Sequence, residues 1–512
     1  MRGGSPVPDQ SQPAWGHADL LDTAGTNPWL SWDWNEPPWG VLDAAPSHGT
    51  DNISHAPLVS ADTVPVDAPV VANIIDAKLD PVEYHRQTIL IHLDQSSLGS
   101  TAPDSMRHWL SCAPLSLFLK TYFTRHHRHT PIIHLPTFNI VDCPTGLVFA
   151  LTLIAAAYVP NLGLRARDVV RLLDCARTLT MVSDKSLNSG GPASLETLQA
   201  LVLLGIMDRL MLKRTSDVPC SIDLGSIARL ARAAHIFEVP NDAPNTSWRE
   251  WATLESRRRL GLVLFAFDAF ISVLHDQTPN VRDDELNMRF PSPEHVFMAA
   301  SESEWRDANK LHPQHAATTY SVSLTLSSLF THADMSLPLP DTLMGRFVLI
   351  HGILQYAWRT KRVLQENPRA ISDAALQPYL QSRTSAICNS LRKWRAGWPE
   401  ELLDFEPFSE SPSLYQDRAE ACWYLAGIVT LPHVNIRLPE TSATDFSGAL
   451  SVQQIFQCLI LLSDSSLLHN VGQDFEATYH LVTERLSAGT NDGALGALIY
   501  REPDTTRAGF EE

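Results

Sequence analysis

From Asp80 onward the chain is a succession of long apolar segments with helical spacing, and strand signals are scarce. Apolar residues recurring three and four apart line one face of a helix, whereas a half-buried strand alternates at every second residue. The clearest helical segments lie near 113–124, 145–159, 166–183, 194–213, 222–236, 248–274, 345–366, 375–396, 414–431, 452–468 and 476–487. Pro-bearing connections separate them, and no hairpin dipeptide falls between alternating runs. The expected fold class is all-α, one large multi-helix domain. Segment 194–213 is apolar on nearly every side, which predicts a central position. A stretch at about 295–340, rich in Ser, His and Thr, reads as a break joining two helical subdomains.

Residues 1–76 differ from the rest. Arg2 is the only Lys or Arg there, against ten Asp and Glu, and no helical period is visible. Such a segment has too little apolar surface to offset chain entropy, so 1–79 is expected to be disordered. Within it, Trp29, Trp32, Trp34 and Trp39 fall in eleven residues, spaced by Asp33 and Glu36. Acidic residues keep such aromatics solvated until they dock on a partner. The alternative is a linker whose tryptophans pack on the folded body. The expected division is therefore a disordered acidic segment at 1–79, a helical domain at 80–310, and a helical part at 311–512 that continues it.

The remaining 436 residues carry the core: hydrophobic residues make up 44% of the whole chain and charged residues 19%. Net charge is -18, from 57 acidic and 39 basic residues, so nucleic acid repels the chain as a whole unless a basic patch intervenes. Cys112, Cys143, Cys175, Cys220, Cys388, Cys422 and Cys458 form no C-x-x-C pair, which argues against a disulfide scaffold and a paired-cysteine zinc module. The thiols fit a reducing compartment. The most apolar run, Gly146 to Val159, stops at Pro160. It is short of the roughly 20 residues that span a bilayer, so a buried helix is expected.

Segment 248–274 is the most informative helix. Ser247 and Glu250 make a capping box at its start. Glu255 can pair with Arg258 and Arg259 at i+3 and i+4, each pair contributing some tenths of a kcal/mol. Its second half, from Leu262 to Leu274, is apolar except for Asp268 and Ser272, and a carboxylate there needs a partner or a shifted pKa.

Catalytic signatures are scarce. Phosphate-binding loops, the nucleophile elbow G-x-S-x-G and the H-E-x-x-H zinc motif are missing. His126, His127, His129 and His134 gather in one stretch, but the neighbouring Arg125 and Arg128 oppose a cation, so a polar helix end is the expectation. Asp283-Asp284-Glu285-Leu286-Asn287 fits the magnesium-diphosphate pattern D-D-x-x-N of helical terpene cyclases, yet the second metal motif of those enzymes is absent. No cofactor and no metal are expected.

The order of segments resembles the regulatory domain of fungal-specific transcription factors, the middle homology region. Leu115 to Phe123, followed by Thr130-Pro131-Ile-Ile-His134-Leu-Pro136-Thr137-Phe138, resembles that domain's first helix and P-I-x-H-x-P-T-F turn. Ala155 to Ala157 fits the small-residue helix that comes next. Leu198-Gln199-Ala200-Leu201-Val-Leu-Leu204 resembles its "LQALLLL" helix, and Gly225 to Ala231 its G-x-A-x-R-x-A helix. Trp248, Trp251, Glu255, Arg257, Arg258, Arg259 and Asp268 resemble its strongest motif, W-x-x-W-x-x-x-E-x-R-R-R with a following aspartate. Phe290-Pro291, Trp305, Trp394 and Trp398-Pro399 resemble its closing parts.

The resemblance covers about 110–310 well and 340–435 loosely. It implies an all-helical, non-enzymatic regulator in the nucleus, often of metabolic or secondary-metabolite genes. A helical magnesium-dependent cyclase and a cytosolic scaffold are the alternatives. Members usually carry a zinc DNA-binding module ahead of this domain. Here the 110 residues before it contain no cysteine, so either the sequence is truncated ahead of a zinc module or the regulator acts through partners, expected to be the transcription machinery or a DNA-binding protein, with a homo- or heterodimer compatible and no membrane involved. Glu255, Arg257, Arg258, Arg259, Trp248 and Trp251 are expected to be structural. Asp268 is expected to pair with an arginine, Arg229 or Arg232, on the helix that resembles the family's neighbouring element.

Overall fold

The helices follow the apolar periods closely. The computed structural model describes residues 80–95, 110, 115–158, 166–211, 222–240, 246–311, 320–331, 337–340, 342–366, 377–396, 414–431, 436–437, 450–451, 455–456, 458–459, 462 and 474–489. The first part of the fold contains α1 (Pro81–Gln95), α2 (Leu115–Thr121), α3 (Thr145–Ala156), α4 (Ala166–Ser183), α5 (Lys185–Asn188), α6 (Leu195–Ile206) and α7 (Leu224–Ala233). Then come α8 (Trp248–His275), α9 (Glu294–Phe297), α10 (Glu302–Leu311), α11 (Val322–Phe330), α12 (Leu343–Glu366), α13 (Gln377–Ala396), α14 (Leu414–Thr430) and α15 (Phe475–Gly489). Strand, among the described residues, is confined to Ile436–Arg437 and Leu450–Ser451, two short pieces paired in parallel. The fold is all-α. The segment 1–79, with Trp29, Trp32, Trp34 and Trp39, and most of 452–468 lie outside the described residues.

Helix α3 is buried at every residue, because it is apolar all round and packs against α2, α4 and α6. Gly146 lets α4 approach: a Cβ there would stand 2.5 Å from the Thr180 Cα. Helix α6 is buried from Thr197 to Ile206, and a π turn, Met207–Met211, continues it, so the expected central segment is central. No described helix is long and apolar enough to cross a membrane.

Helix α8 runs 28 residues, about 42 Å at 1.5 Å per residue, and packs on α6, α7 and α12. Its capping box is formed as expected: Ser247 Oγ accepts from the Glu250 N–H, and Glu250 Oε2 accepts from the Ser247 N–H at 3.0 Å. Farther on, α12 packs on α13 and α14. The last carbonyls of α13 find partners on those neighbours. Arg346 donates to Trp394 O at 3.0 Å, Trp394 Nε1 returns a bond to Arg346 O at 2.9 Å, and Trp423 Nε1 donates to Leu391 O at 2.9 Å.

Among the described residues, the expected break at 295–340 is largely helical. It holds α10, α11 and the last residues of α9. The serines that lowered its helical signal start helices instead: Ser301 Oγ accepts from Glu304 N at 3.3 Å and Ser321 Oγ from Leu324 N at 3.2 Å. Serine competes with the backbone inside a helix but stabilises its first turn, so a serine-rich stretch can be a series of short helices. One buried apolar cluster runs from Ile89 to Leu486, through residues on both sides of position 310.

Candidate functional site

The motif residues of α8 do not lie on its surface. Glu255, Arg258 and Arg259 are fully buried. The Glu255 carboxylate accepts from Arg258 Nη1, from Arg259 Nε at 3.1 Å, from the Ser292 backbone N–H at 2.7 Å and from Ser292 Oγ at 3.3 Å. Burial pushes its pKa up, but the charges of Arg258, Arg259 and Arg289 and the Ser292 N–H outweigh that and hold it below the usual carboxylate range. Arg259 also donates to Glu294 Oε2 at 2.7 Å and to Ser292 O at 2.8 Å, and its guanidinium lies 3.8 Å from the Phe297 ring centroid. Arg258 reaches Pro240 O at 3.5 Å, and Arg257 donates to Ala234 O. One carboxylate thus ties α8 to the α8–α9 connection, while the flanking arginines tie it to the end of the segment after α7.

This burial corrects the expected magnitude. Exposed pairs at i+3 and i+4 contribute tenths of a kcal/mol, but removing one partner from a buried cluster strands the others and costs about 3–5 kcal/mol. Glu255 and the arginines are legible in the sequence, whereas Ser292, Glu294 and Phe297 are not. Their signal was faint: Pro291 and Pro293 bracket Ser292, and restrict the backbone that presents its N–H.

Asp268, two and a half turns farther along, is buried too, but the expected arginine partner is not there. Its carboxylate accepts from Asn280 N at 2.6 Å, Asn280 Nδ2 at 2.8 Å and Val281 N at 2.8 Å. Arg232 pairs with Glu285 and donates to Asn280 O; it acts on Asp268 by charge only. Arg229 is exposed beside Asp223 and Ser226. The physical reason is the turn after α8. Asp276 takes a left-handed conformation (φ 51°), the chain folds back, and its backbone amides reach the carboxylate before any long side chain does. Burial pushes the Asp268 pKa up against the opposing pull of those donors and of Arg232.

Trp248 and Trp251 line a small aromatic cluster at the start of α8. Trp251, Ala252, Val296 and Phe297 are buried in it, with Trp248, Met298, Trp305 and Ala308 at its edge. The His134 ring joins them, 5.8 Å from Trp248, 6.1 Å from Trp251 and 5.0 Å from Phe297. Burial and the nearby Arg259 charge depress the His134 pKa to about 4, so the ring is neutral at pH 7.

The other candidate clusters dissolve. The expected polar helix end at 126–134 is largely interior: His126, His127 and His134 are buried, and each has a different partner, Tyr158 Oη, Ile133 O and Thr137 Oγ1. They point to three places rather than to one cation. The run Asp283–Glu285 forms a 3-10 turn whose carboxylates meet arginines: Asp283 with Arg359 at 3.1 Å, Asp284 with Arg282 at 2.9 Å, and Glu285 with Arg232. Among the described residues no three His, Cys, Asp or Glu are grouped to hold a metal ion. What the α8 site can do chemically is fix two chain connections, α7–α8 and α8–α9, and the start of α9 against one helix.

Comparison with known proteins gives three results. The family model described as "Fungal specific transcription factor domain" matches residues 119–396. "Zinc finger protein zas1" of Schizosaccharomyces pombe is 23% identical over 225 residues, 42% of this chain and 24% of that protein. "Transcription factor PfmaH" of Pestalotiopsis fici is 24% identical over 249 residues, 44% of this chain and 26% of that protein. In both cases the match spans about a quarter of the relative's length. No solved structure matches.

Proposed function

Because this chain belongs to the fungal-specific transcription factor domain family, we propose that it is a transcription regulator acting in the nucleus on genes of metabolism or secondary-metabolite biosynthesis. The match over residues 119–396 carries this reading. It takes in the Glu255 cluster, Asp268 and the aromatic cluster at Trp248 and Trp251, so the residues that make the family motif are those that organise the fold around α8. Their role is structural, with no catalytic step and no cofactor assigned to them. One relative is named a transcription factor and the other a zinc finger protein.

The chain reaches promoters through a partner. No two cysteines in these 512 residues stand at the spacing of a paired-cysteine zinc module, and net charge is -18. Clustered Lys and Arg are what neutralise DNA phosphates, and the dense basic stretch Arg249 to Arg259 holds four, of which Arg258 and Arg259 are buried and Arg257 is half-buried. The tryptophan segment with Trp29, Trp32, Trp34 and Trp39 is one contact surface for that partner or for the transcription machinery.

Three measurements test this. A fluorescent fusion should accumulate in the nucleus. The chain tethered to a foreign DNA-binding domain should raise reporter output, and replacing the four tryptophans by alanine should remove most of that rise. An anisotropy titration of the untethered protein against promoter fragments at moderate salt should show no saturable, sequence-dependent binding. Such binding would overturn the partner reading.

A further inference from the structure

Helix α10 is attached to the body by very little. The buried apolar residues divide into one large core and the small aromatic cluster at the start of α8. Helix α10 gives only Trp305 and Ala308 to that small cluster, three positions apart on one face, and its described residues add nothing to the large core. Trp305 meets Trp251 at 5.3 Å between ring centroids. Its charges are settled within the helix: Arg306 with Glu302 at 2.7 Å, and Lys310 with Asp307 at 3.0 Å. Its cap is local as well, with Glu304 Oε2 accepting from Ala300 N at 2.9 Å and Ser301 Oγ accepting from Glu304 N. Among the described residues no hydrogen bond or ion pair joins α10 to another helix. Trp305 Nε1 is buried without a hydrogen-bond partner, so even the anchoring residue is imperfectly satisfied.

We propose that α10 is a strap that opens from the body as a unit while the large core stays folded. A helix whose caps and ion pairs are all its own loses little beyond the Trp305 and Ala308 contacts when it lifts, so its opening needs only part of the global unfolding free energy. Opening uncovers Trp251 and Phe297 between α8 and α9. Phe297 carries the Arg259 guanidinium on its ring face. The strap therefore controls whether an aromatic face of the family motif is covered.

Hydrogen exchange read by mass spectrometry on the full 512-residue chain tests this. Amides of 303–311 should have protection factors at least about 100-fold below those of 260–273, the signature of sub-global opening. Trp305→Ala should speed exchange in 302–311 several-fold more and leave 260–273 unchanged. Protection in 303–311 within about threefold of that in 260–273 would mean that α10 opens only with the whole domain, and would overturn the proposal. So would a Trp305→Ala variant that speeds both segments equally. The ratio in the unmodified protein decides the matter even if the variant fails to fold.

Discussion

The two ends of α8 each bury a carboxylate, and they satisfy it in opposite ways. Glu255, near the start, is held mainly by the long side chains of Arg258 and Arg259. Asp268, near the end, is held by two backbone amides and the short side chain of Asn280. The first solution depends on charges that are themselves buried, so each member is left stranded when another is removed. The second depends on a turn whose amides carry no net charge, and which α12 also grips through Gln355 and Arg359. Equal burial of the same chemical group therefore does not mean equal vulnerability.

The largest test of that contrast is Glu255→Ala. It leaves two buried guanidinium groups without their shared partner, and should cost about 3–5 kcal/mol in denaturant unfolding, enough to unfold many domains of this size. Asp268→Asn keeps the shape but replaces an acceptor oxygen with an NH2 facing amide donors. It should cost less, about 1–3 kcal/mol. If Asp268→Asn proves the costlier of the two, the distinction between the ends is wrong.

A change of pH separates the ends further. In the folded chain His134 titrates at about 4, against about 6.5 when unfolded. Between those values the unfolded state binds more protons, so stability falls as the pH drops from about 6.5 toward 4. Replacing His134 by phenylalanine should flatten that part of a melting-temperature profile. An unchanged slope would place the acid sensitivity elsewhere. The smallest effect is expected for Arg232→Ala. Arg232 pairs with Glu285 at a partly exposed site and touches Asp268 through charge alone, so its loss should cost no more than about 1 kcal/mol. A cost equal to that of Asp268→Asn would restore Arg232 as the true partner.

Much of the fold was legible in the residues. The period of three and four gave α3, α4, α8, α12, α13 and α14 within a few residues of their ends, and α6 together with the π turn that continues it, because apolar faces must be buried whatever they pack against. Capping by Ser247 and Glu250 was equally local and formed as expected. The helices at 302–311 and 322–330 were harder to see, since their serine caps look like loop residues until the backbone turns after them.

The candidate site divides along the same line. Helical spacing alone puts Glu255, Arg258 and Arg259 on one side of a helix and Asp268 among apolar neighbours. It takes the folded chain to seal Glu255, Arg258 and Arg259 from water, to complete their cluster with Ser292 and the exposed Glu294, and to give Asp268 to Asn280 and Val281 in place of an arginine. Those partners lie 12 to 37 positions away in the chain. A pattern that repeats every few residues cannot specify which distant amide a folded turn will bring to a carboxylate. That depends on how the whole connection packs, and in low dielectric the packing sets whether a charge pair contributes tenths of a kcal/mol or several.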